Sequence, residues 1–166
     1  MNIRLRALEP EDLDFLYELE NTESVAVYSS TNVPLSRYAL LNYIMSATND
    51  IFTDKQLRLV VETDTGERCG LVDLFDFSPS DRRAEIGVAI HPQWQNKGIA
   101  TVAVAQLMDY ARSTLHLNQL YAIIPVSNIA SAAIFHKIAN VKVQLMEKWF
   151  FIGGNYEDAQ LFQVFL

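Results

Sequence analysis

Apolar and polar side chains alternate along Ile3-Arg4-Leu5-Arg6-Ala7, the pattern of a strand with one buried face. Glu9-Pro10-Glu11-Asp12 follows. Proline suits a first helical position, and acidic residues there face the positive end of the helix dipole. Leu13, Leu16, Tyr17 and Glu20 then step at helical spacing and predict a short first helix. A second helix is predicted over 36–48, with Tyr38, Leu41 and Met45 on one face. Strands are predicted at 57–62, 69–77 and 83–90. The turns Asp64-Thr65-Gly66 and Ser78-Pro79-Ser80-Asp81 make them an antiparallel meander. Over 98–115 the period becomes helical again, with Ala100, Val104, Leu107, Met108, Ala111 and Leu115 as an apolar stripe. A buried strand at 120–126 precedes Asn128, a good N-cap for a helix over 129–138. Strands at 141–152 and 159–166 flank the turn Gly153-Gly154-Asn155.

This order predicts an α+β fold, a mixed and mostly antiparallel twisted sheet of about seven strands with about four helices, and excludes a doubly wound sheet. Proline and glycine occur singly between periodic segments, without repeats, low-complexity tracts or linkers, so residues 1–166 are expected to form a single domain. With 50% hydrophobic residues the chain has material for one sizeable core. No apolar run approaches a membrane span, and the start of the chain lacks the apolar stretch of a secretory signal. Cys69 is the single cysteine, so an intrachain disulfide is impossible and a cytoplasmic location is the expectation. The net charge of -7 argues against nucleic-acid binding and is compatible with a cationic partner.

The stretch richest in chemistry is Glu85-Ile86-Gly87-Val88-Ala89-Ile90-His91-Pro92-Gln93-Trp94-Gln95-Asn96-Lys97-Gly98-Ile99-Ala100-Thr101. A strand ends, a short polar loop follows, and a long helix begins. Consecutive N–H groups and the helix dipole converge there, a combination suited to a pyrophosphate. Gly98 allows close backbone approach, Ala100 avoids a clash and Lys97 adds charge. The spacing fits neither a P-loop nor a dinucleotide-binding Gly-x-Gly-x-x-Gly.

The succession strand, Gln-x-x-Gly-x-Ala, helix, strand and Asn128 at a further helix start resembles the GNAT acetyltransferases. Within them it is most similar to the bacterial spermidine/spermine acetyltransferases. That resemblance runs nearly end to end. It is carried by Leu8-Glu9-Pro10-Glu11-Asp12-Leu13, Gly70-Leu71-Val72-Asp73-Leu74, Arg82-Arg83-Ala84-Glu85, Leu115-His116-Leu117-Asn118 and Phe150-Phe151-Ile152-Gly153-Gly154-Asn155-Tyr156. It implies a GNAT fold whose sheet splays between strands 4 and 5 to hold acetyl-CoA. The pantetheine arm would lie along Val88, Ala89 and Ile90. The pyrophosphate would sit on Gln95, Asn96, Lys97, Gly98, Ile99, Ala100 and Thr101, with Asn128 as a further coenzyme contact.

The implied reaction is attack of a neutral primary amine on the thioester. It requires a proton acceptor, donors for the oxyanion and release of the thiolate. The resemblance gives Glu85 to orienting and deprotonating the amine, with the Val88 N–H or a neighbour as oxyanion donor. The other role open to Glu85 is an ion pair with Arg82 or Arg83. Asp76 stands where relatives carry a glutamate and is expected to hold a distal ammonium, or a metal ion as in some relatives. No resident metal is expected. A large homo-oligomer is implied as well.

Three positions depart from the family. The tyrosine that protonates the leaving thiolate is replaced by Phe135, which has no proton to give. His136 lies about 100° further round the helix. Ala139-Asn140 replaces a Gly-Phe pair, and Asn140 can still take the left-handed helix end. Val27 to Leu41 carries no carboxylate where relatives bind regulatory polyamine. Three readings follow: acetylation of a polyamine-like small amine, acetylation of a protein N-terminus as by ribosomal-protein acetyltransferases, or a catalytically weak CoA-binding protein.

Overall fold

A computed structural model describes residues 2–29, 31 and 33–166. Seven strands form one sheet in the order β1-β2-β3-β4-β5-β7-β6. They are β1 (Ile3–Ala7), β2 (Leu57–Thr63), β3 (Arg68–Ser78), β4 (Arg83–Ile90), β5 (Gln119–Pro125), β6 (Lys142–Ile152) and β7 (Asn155–Phe165). Every neighbouring pair is antiparallel except β4 and β5, which run parallel. The α+β class and the strand number expected from the sequence both stand.

The helices are α1 (Leu13–Glu20), α2 (Glu23–Ala26), α3 (Arg37–Ser46), α4 (Ile51–Asp54), α5 (Ile99–Ser113) and α6 (Ile129–Phe135). Four were expected; α2 and α4 are single turns of four residues, too short to develop a periodic stripe. The last helix is also shorter than its expected range 129–138. It closes with 3₁₀-type bonds from Lys137 N–H to Ile134 and from Ile138 N–H to Phe135, and Asn140 then takes the left-handed conformation.

Alternation along the strands divides the core. Val60 and Leu71, opposite each other in the β2–β3 register, turn to one face and meet Leu16, Leu19, Leu40 and Ile44 of α1 and α3. Val61 and Val72 turn to the other face, where α5 buries Ile99, Ala103, Val104, Leu107 and Ala111. The expected α5 stripe is thus shifted slightly: Val104, Leu107 and Ala111 are buried, while Ala100, Met108 and Leu115 pack at its margin. In α3 the expected face exists but points outward. Tyr38, Leu41 and Met45 are exposed and Leu40 and Ile44 turn inward. Two apolar faces compete on that helix, and the docking of α1 decides between them.

The β1–α1 corner is locked by Asp12, which is fully buried. Its carboxylate accepts from both Arg6 terminal nitrogens (2.7 and 2.9 Å), from Arg68 Nε and from the Glu9 N–H at 2.9 Å. Burial opposes its charge, but these donors prevail and hold the carboxyl down at about 2. Among the described residues no helix is long and apolar enough to cross a membrane.

Candidate functional site

β4 and β5 pair only at Arg83–Gln119, Ala84–Leu120 and Glu85–Tyr121. Beyond Glu85 both strands continue, each still paired on its outer side, to β3 as far as Ile90 and to β7 as far as Pro125. The inner edges from Gly87 to Ile90 and from Ala122 to Pro125 therefore face a wedge-shaped gap. Unpaired strand backbone needs hydrogen-bonding partners. An extended ligand carrying amides meets that need at Val88 and at the Ile90 N–H, since Ala89 turns its backbone to β3 and the Ile90 carbonyl is already taken by Gln95.

At the wide end of the gap the chain makes a 3₁₀ turn (Pro92–Trp94) and then takes left-handed conformations at Asn96 (φ 61°) and Gly98 (φ 78°). None of the N–H groups from Asn96 to Thr101 donates to another described residue. The first bond into the helix runs from Val102 N–H to Gly98 at 3.3 Å. A run of unpaired amides at the positive end of α5 is an anion nest. Gln95 is not part of the nest. Its Nε2 donates to the Ile90 carbonyl at 2.9 Å and its N–H to Pro92, so it pins the loop to the end of β4. Lys97 Nζ lies over the Trp94 ring, 4.5 Å from its centroid, on the exposed side of the same loop. A Cβ built on Gly98 meets nothing within 4 Å, so the space above the nest is open to a diphosphate. Gly98→Ala is expected to weaken acetyl-CoA binding about fivefold, because the methyl enters that space and the left-handed backbone costs about 1–2 kcal/mol. Calorimetry reads the first effect and thermal melting the second; unchanged affinity excludes the loop as the phosphate site.

Glu85 stands where the strands part. It makes no ion pair with any described residue, and the neighbouring Arg83 is taken by Asp81 at 2.6 Å. Its carboxyl is half-buried. That burial, together with the charge of Asp76, pushes it up to about 7, against a hydrogen bond from the Ile123 backbone. Asp76 sits in a bulge of β3, where the register to β4 shifts between Phe75 and Ser78, with φ 47°. The bulge turns an exposed carboxylate toward β5, where it accepts the Tyr121 hydroxyl. Asp73, three residues earlier on the same strand, is occupied by Arg58 Nε at 2.6 Å. Among the described residues no group of three or more His, Cys, Asp or Glu side chains is placed to hold a metal ion.

Asn128 caps α6, its Oδ1 accepting from the Ser131 N–H at 3.2 Å, as its residue type predicts. Phe135, in the last turn of α6, is buried against Phe162 with ring centroids 5.7 Å apart. His136 is exposed and also packs on Phe162, edge to face with ring centroids 4.9 Å apart. His91, at the end of β4, is buried with Nε2 3.1 Å from Glu18, tying α1 to the start of the loop. Of the stretch Val27 to Leu41, Ser30 and Asn32 lie outside the described residues. Sequence reasoning missed Tyr121. Its only signal was a phenol within the apolar run Leu120 to Ile124, and the β4–β5 register that sets it beside Glu85 is not readable from local pattern.

A mixed sheet opened between its one parallel pair, with an anion nest at the open end and a titrating carboxylate at the closed end, defines an acyl-CoA-dependent N-acyltransferase. Residues 2–139 match the family model for the acetyltransferase (GNAT) domain, and the chain belongs to that family, which uses acetyl-CoA. Among curated proteins it is 36% identical over 159 residues to the spermidine N(1)-acetyltransferase of Escherichia coli (strain K12), covering 95% of this chain and 83% of the relative. The crystal structure of spermidine N-acetyltransferase from Vibrio cholerae in complex with CoA and spermine superposes with a TM-score of 0.86 at 27% identity, covering 98% of this chain and 95% of the other. A dodecameric structure of the same Vibrio cholerae enzyme gives a TM-score of 0.80 at 27% identity, covering 98% and 93%.

Proposed function

We propose that this protein transfers the acetyl group of acetyl-CoA to a primary amine of a polyamine-like small molecule, with the whole chain acting as one catalytic domain. The observation that carries this reading is the pair Glu85 and Asp76. Two carboxylates without ion-pair partners among the described residues stand together at the head of the gap, and one is held near neutrality. A substrate with an ammonium group supplies the missing positive charge. The relative bound to spermine supports the same substrate class.

Each residue has a task that follows from its surroundings. The nest from Asn96 to Thr101 takes the diphosphate, with Gln95 holding the loop in register. The inner edge of β4 at Val88 to Ile90 takes the pantetheine amides and offers an N–H to the oxyanion. Asn128 fixes the start of α6 beside the coenzyme. Above pH 7 Glu85 is ionised and receives a proton from the incoming ammonium, directly or through water. The neutral nitrogen then adds to the thioester carbonyl, whose oxygen takes the negative charge; as that oxyanion collapses the C–S bond breaks, the nitrogen gives its second proton to solvent and the sulfur leaves as thiolate. Phe135 supplies no proton to it, so solvent does.

A protein N-terminus as acceptor calls for one positive charge, and the second carboxylate at Asp76 favours the diamine instead. Exposed Tyr38, Met45 and Leu145 leave apolar surface for self-association, in keeping with the dodecameric relative. The single buried cysteine suits the reducing cytoplasm. Thiol release from acetyl-CoA over a panel of mono-, di- and polyamines tests the function. Turnover is expected with at least one polyamine, and calorimetric binding of acetyl-CoA without turnover of any amine returns the protein to a coenzyme-binding role.

A further inference from the structure

We infer that Tyr121 is a positioning residue for amine selectivity: its hydroxyl fixes the Asp76 carboxylate beside Glu85 and so favours acceptors that carry a second ammonium group. This rests on the reading of the gap as the transfer site. Tyr121 is on β5 and Asp76 on β3, with β4 between them. Tyr121 pairs in register with Glu85, and its side chain crosses that row to reach Asp76. The phenol is thus hydrogen-bonded to one carboxylate from a strand position directly opposite the other.

Its donor capacity is used up by Asp76, since a phenol has one O–H. Its oxygen lone pairs remain, as do the other oxygens of both carboxylates. An alkylammonium has three donors and no acceptor. With Glu85 ionised, the three side chains therefore present acceptors to a cation and nothing to an anion. Asp76 by itself is an exposed side chain on a bulge, free to choose among rotamers in solvent. Holding it costs a ligand entropy unless the protein has already done so. The Tyr121 hydroxyl does this before the amine arrives. Arg83, a nearby cation, is held by Asp81.

The test compares 1,3-diaminopropane with n-propylamine, and 1,4-diaminobutane with n-butylamine, in wild type and Tyr121→Phe. For wild type the KM of each diamine is expected to lie well below that of its monoamine. In Tyr121→Phe the ratio is expected to shrink about tenfold, the order for losing one hydrogen bond to a charged group. Asp76→Asn is expected to remove the same preference, with Tyr121→Phe adding nothing on that background. An unchanged ratio, or equal loss for mono- and diamines, overturns the assignment. The same ratio read from calorimetric dissociation constants in the presence of CoA decides the question without turnover. Absence of turnover then counts against the transfer reading alone, and an unchanged binding ratio against Tyr121 alone.

Discussion

Glu85→Gln is expected to slow acetyl transfer about 100-fold at pH 7.5, within the range for loss of a general base, while making the folded protein more stable at that pH. Both effects come from one property of the site. Burial and the charge of Asp76 hold the Glu85 carboxyl up at about 7, against 4.5 in an ordinary setting. The wild-type rate is therefore expected to rise through an inflection near 7 as the carboxylate forms. It should rise again as the free amine deprotonates at about 10. The glutamine variant keeps the second rise and loses the first, so the two profiles converge toward alkaline pH. A loss of equal size at every pH excludes the proton role.

The stability effect has the opposite sign. A carboxyl whose folded value is raised holds its proton more tightly in the folded state than in the unfolded chain. Its contribution is fully present below 4.5 and is lost as pH rises through 7. The neutral amide of Glu85→Gln avoids that loss. The variant is expected to match wild type at pH 4.5 and to exceed it at pH 8 by about 1–2 kcal/mol, after allowance for solvent screening of a half-exposed group. Melting scans at the two pH values check this. A site that gains stability when its base is removed has kept a frustrated charge for its chemistry.

Much of this arrangement was legible beforehand, for a physical reason. Strand alternation, the Gln95-to-Thr101 loop and the Asn128 cap are local properties, decided by a few consecutive residues and the backbone conformations that they permit. Gly98 and Asn96 tolerate the left-handed region, so the nest can form without help from distant parts of the chain. What stayed hidden depends on register and on competition. The bulge at Asp76 and the crossing of Tyr121 exist only once three strands are aligned. Glu85 had two nearby arginines as candidate partners, and only the fold assigns Arg83 to Asp81. The outward face of α3 was misleading because Tyr38, Leu41 and Met45 are as apolar as the residues that it buries. That Gln95 also pins the loop to the end of β4 was hidden as well, because it depends on the Ile90 carbonyl at the strand end coming within reach of its amide.

Phe135→Tyr is the second large effect expected, a gain in kcat of about tenfold at pH 7. The full range for a general acid is about 10²–10⁴, but the leaving group here is a thiolate. An ordinary thiol ionises near 8.5, so sulfur departs without a proton far more readily than an alkoxide. The added hydroxyl therefore helps only in part, and its help fades above about pH 10 as the phenol ionises. The cost is set by burial, since the ring is only 2% exposed and packs on Phe162. A hydroxyl that finds no partner there destabilises by about 1–3 kcal/mol. The direction of the ring edge decides between these outcomes. If it faces the gap, the variant melts lower alone, recovers with acetyl-CoA bound as water or sulfur meets the hydroxyl, and turns over faster. If it faces the core, the loss in melting temperature is the same with and without acetyl-CoA and the rate does not rise. The second result assigns Phe135 to packing and leaves proton delivery to solvent as the native mechanism.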